Sequence, residues 1–467
     1  MFRGKRLAPT NEYLYLTQVQ ITNLNPVDSI GASAWLVEIG GHHILLDAGT
    51  VPGVEGRRGL PLYHQVSDVD VEAIAISHCH HDHCGSLPVA LKHFPRARTL
   101  MTEQSYFLIE RVLHNSVNVM KRQRSEQDIP DYPLYHHGEV DEISYLFQGF
   151  KYGKIEPWGT ITADNVGQSL PTISFLPAGH VLGAAGLQIA HQKESLFYSG
   201  DVCFHNQTLT PGADLGPADS RVLLMEATRG STVVPKNFSR EKELERLIKS
   251  IHAGFARGGG VLIPVFALGR TQEVLAAIAL AMQSGSLKPQ PVYIGGLGRV
   301  FTEIYDLVSS RAPNLRPDLN LHEALNLEVL EARKVDGLKL DGKLFVITAG
   351  MMSEHTMSHE LAVRMAPQAK HSILFVGYTA PDTPGGALRR AEKGTSFSFG
   401  EKEGALERHC HMDAFDLSGH ANREELVEFA VGKNPRTVIL GHGEPEARTW
   451  IERELRERLP RLKILQP

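Results

Sequence analysis

Residues 77–85 read SHCHHDHCG, placing four imidazoles (His78, His80, His81, His83), the carboxylate of Asp82 and the thiols of Cys79 and Cys84 in one short run. Polar groups buried without partners cost free energy, so such a run is a poor recipe for a hydrophobic core. Its chemistry is that of ligands. His78 and His80 stand two residues apart, so an extended segment sends both rings the same way and Cys79 the other. Imidazole and carboxylate together suit zinc, with manganese or iron as lesser alternatives. One tetrahedral ion has no room for all of these groups and a water, whereas two ions do. His81 occupies a spacer slot.

Outward from this stretch, the run VEAIAIS (71–77) reads as a short buried strand feeding the cluster, and GSLPVALKHF after it as a helix. AWLVEIGGHHILLDAG (34–49) reads as a hairpin turning at Gly40-Gly41. SLFYSGD (195–201) and RVLLMEAT (221–228) repeat the pattern of a strand ending near an acid, and the first half of the chain reads mostly as strands and tight turns. The texture changes after Gly230. REKELERLIKSIHAGFARGGG (240–260) places Leu244, Leu247, Ile248, Ile251 and Phe255 on one helical face and stops on glycines. VLIPVFALG, then TQEVLAAIALAMQSG, KLFVITAG and SILFVGYTA alternate buried strands with helix, predicting a parallel α/β domain over about 230–390. The strand-to-polar-end pattern returns at FDLSGHA (415–421) and TVILGHGE (437–444), as if a first domain resumed after an insertion. WIERELRERLP and LKILQ read as a closing helix and strand.

Composition bounds what the chain does. Its 467 residues are 42% hydrophobic and 22% charged, ordinary values for globular proteins and enough for two or three domains. A net charge of −5 excludes a surface coated in positive charge, though not a basic lining in one cleft. Residues 231–390 carry 19 Lys and Arg against 15 Asp and Glu; surface variation and a lid domain with a mildly positive inner face both account for that. Four scattered cysteines exclude a disulfide framework. The basic start, MFRGKRLAPTNEYLYL, is not followed by an apolar signal core, and no apolar run approaches membrane-spanning length. A reducing cytoplasm is the default location and no membrane partner is expected.

H-x-H-x-D-H at a strand-to-loop edge resembles the metallo-β-lactamase superfamily. LPAGHVLGAAG (176–186) then supplies His180, YSGDV (198–202) supplies Asp201 and LLDAG (45–49) supplies Asp47. GGGVLIPVFALGRTQEVL (258–275) resembles the opening of the β-CASP domain of RNA-processing nucleases, with Glu226 in MEATRG, His420 in SGHAN and His442 in ILGHGE as that family's further motifs. The resemblance runs from about residue 17 to 450. It implies an α/β fold: a metallo-β-lactamase αββα sandwich over 1–229 and 391–467, with an inserted β-CASP α/β domain over 230–390.

The resemblance also implies roles. His78, His80 and His180 would bind a first metal and Asp82, His83 and His442 a second, with Asp201 bridging the two. Asp47 would be a buried orienter of the ligands. His420 would be the general acid that protonates the leaving oxygen, held protonated by Glu226. Two Zn2+ ions, with Mn2+ as the lesser alternative, would make a hydroxide available near neutral pH. A histidine at 442 favours the RNA-directed branch over the DNA-repair branch. The implied activity is hydrolysis of RNA phosphodiesters in single-stranded RNA, endonucleolytic with 5′–3′ exonuclease action as an alternative mode. A small-molecule hydrolase, a DNA hydrolase and a non-catalytic RNA-binding scaffold are the rival readings, and a homodimer is left open. Three stretches depart from the family pattern: Arg229 stands in place of a tyrosine, TAGMM (348–352) in place of a serine-proline-glycine-methionine loop, and GYTAPDTPGGAL (377–388) is only loosely similar. Arg270, Ser353 and His355 are phosphate-contact candidates, with a solvated loop or a structural ion pair as the alternative for each. With no appended nucleic-acid-binding domain legible, the compact bacterial type is the nearest in organisation, similar to the core of the cleavage and polyadenylation endonuclease. His42-His43, His136-His137, His409 and His411 belong to no motif and are expected in surface or core positions.

Overall fold

In a computed structural model, residues 14–16, 19–161, 166–216, 220–400 and 403–467 are described; the basic start of the chain (residues 1–13) lies outside them. The chain folds as two compact units. The first comprises Met1–His205, Gly212–Val234 and His420–Pro467, and the second Asn206–Pro211 with Pro235–Gly419.

Two seven-stranded sheets build the first unit. The first sheet begins antiparallel through Val19–Asn23, Trp35–Ile39 and His42–Leu46, then continues in parallel through Ala73–Ala75, Arg98–Thr102 and Phe147–Phe150. The predicted hairpin forms as read: Gly40 and Gly41 take φ of +61° and +81°, the left-handed conformation a two-residue hairpin turn requires. The second sheet runs Lys463–Leu465, Thr437–Gly441, Val222–Glu226 and Glu194–Tyr198 in parallel, then turns antiparallel through Ala185–His191 and Thr172–Pro177. Residues two apart on each strand point to one face. Accordingly Val37, Ile39, Ile44 and Leu46 meet Leu187, Ile189, Leu196, Tyr198, Val222 and Leu224 in a common core. Two sheets sharing one core account for the apolar alternation of these segments.

The first half carries, besides its strands and turns, a long helix not expected from its sequence. Glu103–Gln127 forms a 25-residue helix whose Leu108, Ile109, Val112, Leu113, Val117 and Met120 are buried at helical spacing, and the Thr102 hydroxyl caps it by accepting from the Ser105 N–H.

A six-stranded, all-parallel sheet forms the second unit, in the order Leu327–Val329, Val292–Gly295, Leu344–Ile347, Val261–Pro264, Ser372–Val376, His411–Phe415. The predicted helix spans Arg240–Ala256, opened by the Ser239 hydroxyl and closed before Gly258, with Leu247 and Ile251 buried. Here the expected boundaries of 229/230 and 390/391 need correction. The second unit extends to Gly419 because His411–Phe415 pairs in parallel with Ser372–Val376, so FDLSGHA straddles the end of the insertion rather than opening the resumed domain. Residues 206–211 also belong to the second unit: the buried Glu273 carboxylate accepts from the Thr208, Leu209 and Thr210 N–H groups and the Thr210 hydroxyl. Among the described residues no helix is long and apolar enough to cross a membrane.

Leu187 is fully buried in the core shared by the two sheets. Leu187→Ala is expected to cost about 2–5 kcal/mol through lost transfer energy plus a cavity. A denaturation midpoint indistinguishable from that of the parent protein would refute this account of the sandwich core.

Candidate metal centre

Every sequence-predicted ligand sits at or just beyond the end of a first-unit strand. Asp47 follows His42–Leu46, the SHCHHDHCG stretch follows Ala73–Ala75, and His180 lies in the turn between Thr172–Pro177 and Ala185–His191. Asp201 follows Glu194–Tyr198, Glu226 ends Val222–Glu226, and His442 follows Thr437–Gly441.

The side chains converge in two groups that share one residue. In the first, His80 Nδ1 lies 3.1 Å from His78 Nε2 and 3.0 Å from His180 Nε2. Asp201 Oδ2 lies 3.7 Å from both His78 Nε2 and His180 Nε2. In the second, Asp201 Oδ1 is 3.3 Å from His83 Nε2 and 3.4 Å from His442 Nε2, with Asp82 Oδ2 3.7 Å from His442 Nε2. One carboxylate thus presents one oxygen to each group. A tetrahedral ion with bonds of about 2.0–2.1 Å holds its donors about 3.3–3.4 Å apart, and the separations of 3.0 to 3.7 Å in the two groups bracket that spacing.

Two observations test whether a cation suits the site. Asp201 Oδ1 is buried yet makes no hydrogen bond, a cost that a cation removes. Three imidazole nitrogens meet at His80, and neutral rings cannot all satisfy one another there because each carries only one N–H. Burial, reinforced by neighbouring His83, holds the His78 imidazole well below its ordinary pKa, which favours the neutral ring that a metal ligand must be. Burial works against charge on His83 as well, but the Asp201 and Asp47 carboxylates outweigh it and raise that pKa well above the ordinary value. Burial also penalises the Asp201 anion, yet His442, His83 and His420 hold its pKa well below the usual carboxylate range. The Asp201 and Asp47 carboxylates thus favour positive charge beside His83.

Behind the ligands stands Asp47, fully buried. Its Oδ2 lies 2.7 Å from His83 Nδ1 and accepts from the Ser77 hydroxyl at 2.8 Å and the Tyr198 hydroxyl at 2.6 Å, while Oδ1 accepts from the Ser77 N–H at 2.7 Å. Burial next to Asp47 pushes the Tyr198 phenol well above its ordinary pKa, so it remains a donor. This bond commits Nδ1 of His83 to Asp47 and leaves Nε2 facing Asp201, the outer-shell arrangement that fixes a ligand's tautomer. Ser77 and Tyr198 escaped the sequence reading; adjacency to ligands in SHCHHDHCG and FYSGD was their only signal.

The spacers have work of their own. Cys79 donates to the Ser105 carbonyl, and the two ring nitrogens of His81 lie 2.6 Å from the Thr50 hydroxyl and 2.7 Å from the Ser116 hydroxyl. The ILGHGE turn needs its glycine: a Cβ at Gly443 would stand 2.7 Å from the Ala227 Cβ, because the His442 carbonyl accepts from the Ala227 N–H and the Thr228 hydroxyl.

Glu226 and His420 form a third convergence with Asp201. His420 Nδ1 is 3.2 Å from Glu226 Oε2 and 3.9 Å from Asp201 Oδ2. Glu226 is buried and aimed by the Val202 N–H, which donates to Oε1 at 2.6 Å; the Ala421 N–H, donating to the Val202 carbonyl, holds His420 beside it. Burial opposes a charge on His420, but Glu226 and then Asp201 and Asp82 outweigh it and raise its pKa. His420 therefore holds its proton more tightly than a free imidazole does, beside the two ligand groups.

The remaining candidates lie in the second unit. Arg270 is buried, with its guanidinium donated to the Leu417 carbonyl and Gln207, a bracing role that accounts for it without a ligand. Ser353 and His355 are exposed in the loop after Leu344–Ile347. The other histidine clusters form local pairs: His42 with Glu72, His43 with Glu38, His114 with His137, and His409 with Glu407.

Comparison with known proteins matches residues 28–252 to the metallo-beta-lactamase superfamily, 271–388 to the Beta-Casp domain and 405–464 to the Zn-dependent metallo-hydrolase RNA specificity domain. Among the curated relatives, "Endoribonuclease YSH1" of Candida glabrata is 27% identical over 92% of this chain and 55% of its own. "Probable RNase MJ4" of Methanocaldococcus jannaschii is 28% identical over 89% of this chain and 91% of its own. "Cleavage and polyadenylation specificity factor 73" of Drosophila melanogaster is 26% identical over 91% and 60%. The chain spans little more than half the length of the yeast and fly relatives. A crystal structure of a protein of unknown function from Enterococcus faecalis V583 shares the fold, with a TM-score of 0.55 at 14% identity over 96% of this chain and 98% of that one. With three successive domain models in the order that the two units and the ligand groups require, the chain belongs to the β-CASP family of the metallo-β-lactamase superfamily.

Proposed function

We propose that this chain is a zinc-dependent ribonuclease that hydrolyses phosphodiester bonds within single-stranded RNA, using two ions shared through Asp201. The observation that carries the reading is the division of Asp201: Oδ2 faces His78 and His180, Oδ1 faces His83 and His442, and His420 stands beside it. Support for RNA comes from the match of 405–464 to an RNA specificity domain and from relatives named as endoribonucleases. Nitrogen-rich donor sets at tetrahedral spacing support zinc over manganese.

Bound divalent ions supply Lewis acidity and lower the pKa of water toward neutrality. The chain's residues do the rest. Asp201, kept ionised by the surrounding imidazoles, holds both ligand groups in one frame. Asp47 orients His83. On scission the bond from phosphorus to the leaving 3′ oxygen breaks, and that oxygen takes a proton from His420, while Glu226 keeps the imidazole aimed and charged. The nucleophile is drawn from water, so the ribose 2′-hydroxyl takes no part in the chemistry and the products carry 5′-phosphate and 3′-hydroxyl ends.

In Asp201→Ala both ligand groups lose their common member, and elemental analysis is expected to find the metal content collapsed; full occupancy would refute sharing through Asp201. His420→Ala should keep the parent's metal content while cleavage of labelled single-stranded RNA falls by roughly 10²–10⁴-fold. Unchanged cleavage would remove His420 from the proton transfer. Chelator should abolish cleavage and added Zn2+ restore it. Turnover of a small ester or lactam, with RNA left intact, would replace ribonuclease with a small-molecule hydrolase.

A further inference from the structure

The second unit has three large aromatic side chains exposed among its described residues, Phe238, Phe266 and Tyr378, and two of them follow neighbouring strands. Phe266 is the second residue after Val261–Pro264, and Tyr378 the second after Ser372–Val376. These strands pair in parallel with Val261 opposite Ser372 and Leu262 opposite Ile373. Continuing that register sets Phe266 level with Gly377, next to Tyr378, on strands about 4.8 Å apart. Both rings therefore leave the carboxyl edge of a parallel sheet, where open α/β sheets take their ligands. The core beneath is already filled by Phe345, Phe375 and Phe399, so packing does not explain exposures of 37% and 67%.

The two positions are fixed rather than trailing. The Phe266 carbonyl accepts from both the N–H and the hydroxyl of Thr271, and a Cβ built on Gly350 would lie 3.6 Å from Phe266 Cδ2, so the neighbouring loop backs the ring. Arg389 donates to the Gly377 carbonyl at 3.2 Å and Arg390 to the Pro381 carbonyl at 2.6 Å. Both arginines are exposed, and among the described residues neither has a carboxylate partner. Planar rings on a rigid edge, bordered by unneutralised guanidinium groups, match a chain of flat bases joined by phosphates.

We propose that Phe266 and Tyr378 form a stacking platform for successive bases of single-stranded RNA, with Arg389 contacting the adjoining phosphate. The inference rests on the ribonuclease reading and assigns that substrate a binding subsite outside the metal centre. Stacking accepts every base, so the subsite confers affinity for single strands without sequence preference.

Fluorescence anisotropy of a labelled single-stranded RNA, with metal-loaded His420→Ala protein as the parent to prevent turnover, tests it. Phe266→Leu and Tyr378→Leu should each raise Kd by roughly 5- to 100-fold while leaving its salt dependence unchanged. Arg389→Gln should instead reduce the salt slope by about 1. Tyr378→Trp should retain affinity and show fluorescence quenched by RNA. An oligomer of equal length whose sugars carry no bases should bind the parent weakly and lose nothing further in the leucine variants. Leucine variants that bind intact RNA as tightly as the parent, or that weaken intact and base-free oligomers equally, overturn the platform and leave the ribonuclease reading standing. A parent that binds no RNA overturns both.

Discussion

One buried carboxylate, Asp201, governs how this molecule is put together around its chemistry. Its two oxygens face different sets of imidazoles, and the second set closes only when His442 arrives from the far end of the chain. A buried anion without compensation is among the costliest features a protein can carry. Here the imidazoles around Asp201 lower that cost without removing it at Oδ1, and they stand together only because separate strand ends of the first unit deliver them to one place. The sandwich core and the ligand geometry are thus two sides of one arrangement. Residues alternating inward from each strand close the core, and the loops leaving the same strands carry the donors.

The layer behind the ligands makes that geometry reproducible. Asp47 receives donors from Ser77, Tyr198 and His83, and the Ser33 hydroxyl sits 2.9 Å from the Tyr198 hydroxyl. A charge so fully satisfied is stable in a dry interior, and each donor it receives is one that can no longer rotate. Glu226 does for His420 what Asp47 does for His83, with the Val202 N–H as its own anchor. Two carboxylates, each held by the chain around it, fix the tautomer of one imidazole and raise the proton affinity of another.

Much of this was legible in order along the chain. The spacing of His78, His80, Asp82 and His83 is local, and local spacing at a strand end is geometry that sequence encodes directly. The hairpin at Gly40-Gly41 and the helix from Arg240 were equally readable, because turn chemistry and amphipathic periodicity are short-range signals. Assigning Glu226, His420 and His442 to the same centre was a matter of family resemblance, since nothing in their spacing brings them together. The end of the insertion was misplaced for a physical reason. A strand's own sequence says that it is buried but not which sheet it joins, and His411–Phe415 could be assigned only once Ser372–Val376 was seen beside it. Similarly, the 25-residue helix from Glu103 was obscured by a long polar face on an otherwise regular apolar stripe.

By itself, then, the sequence determined the residue types of the centre, the local spacing of its first ligands and the order of the motifs, because each depends on neighbours a few residues apart. Tertiary structure alone decided that Asp201 divides its oxygens between two groups, that Ser77 and Tyr198 fix Asp47, and that Arg270 is braced inside the second unit. It also decided that Phe266 and Tyr378 are left exposed just beyond the ends of two paired strands. Those are relations between segments tens to hundreds of residues apart, and only the packing that buries the strands between them sets the distances.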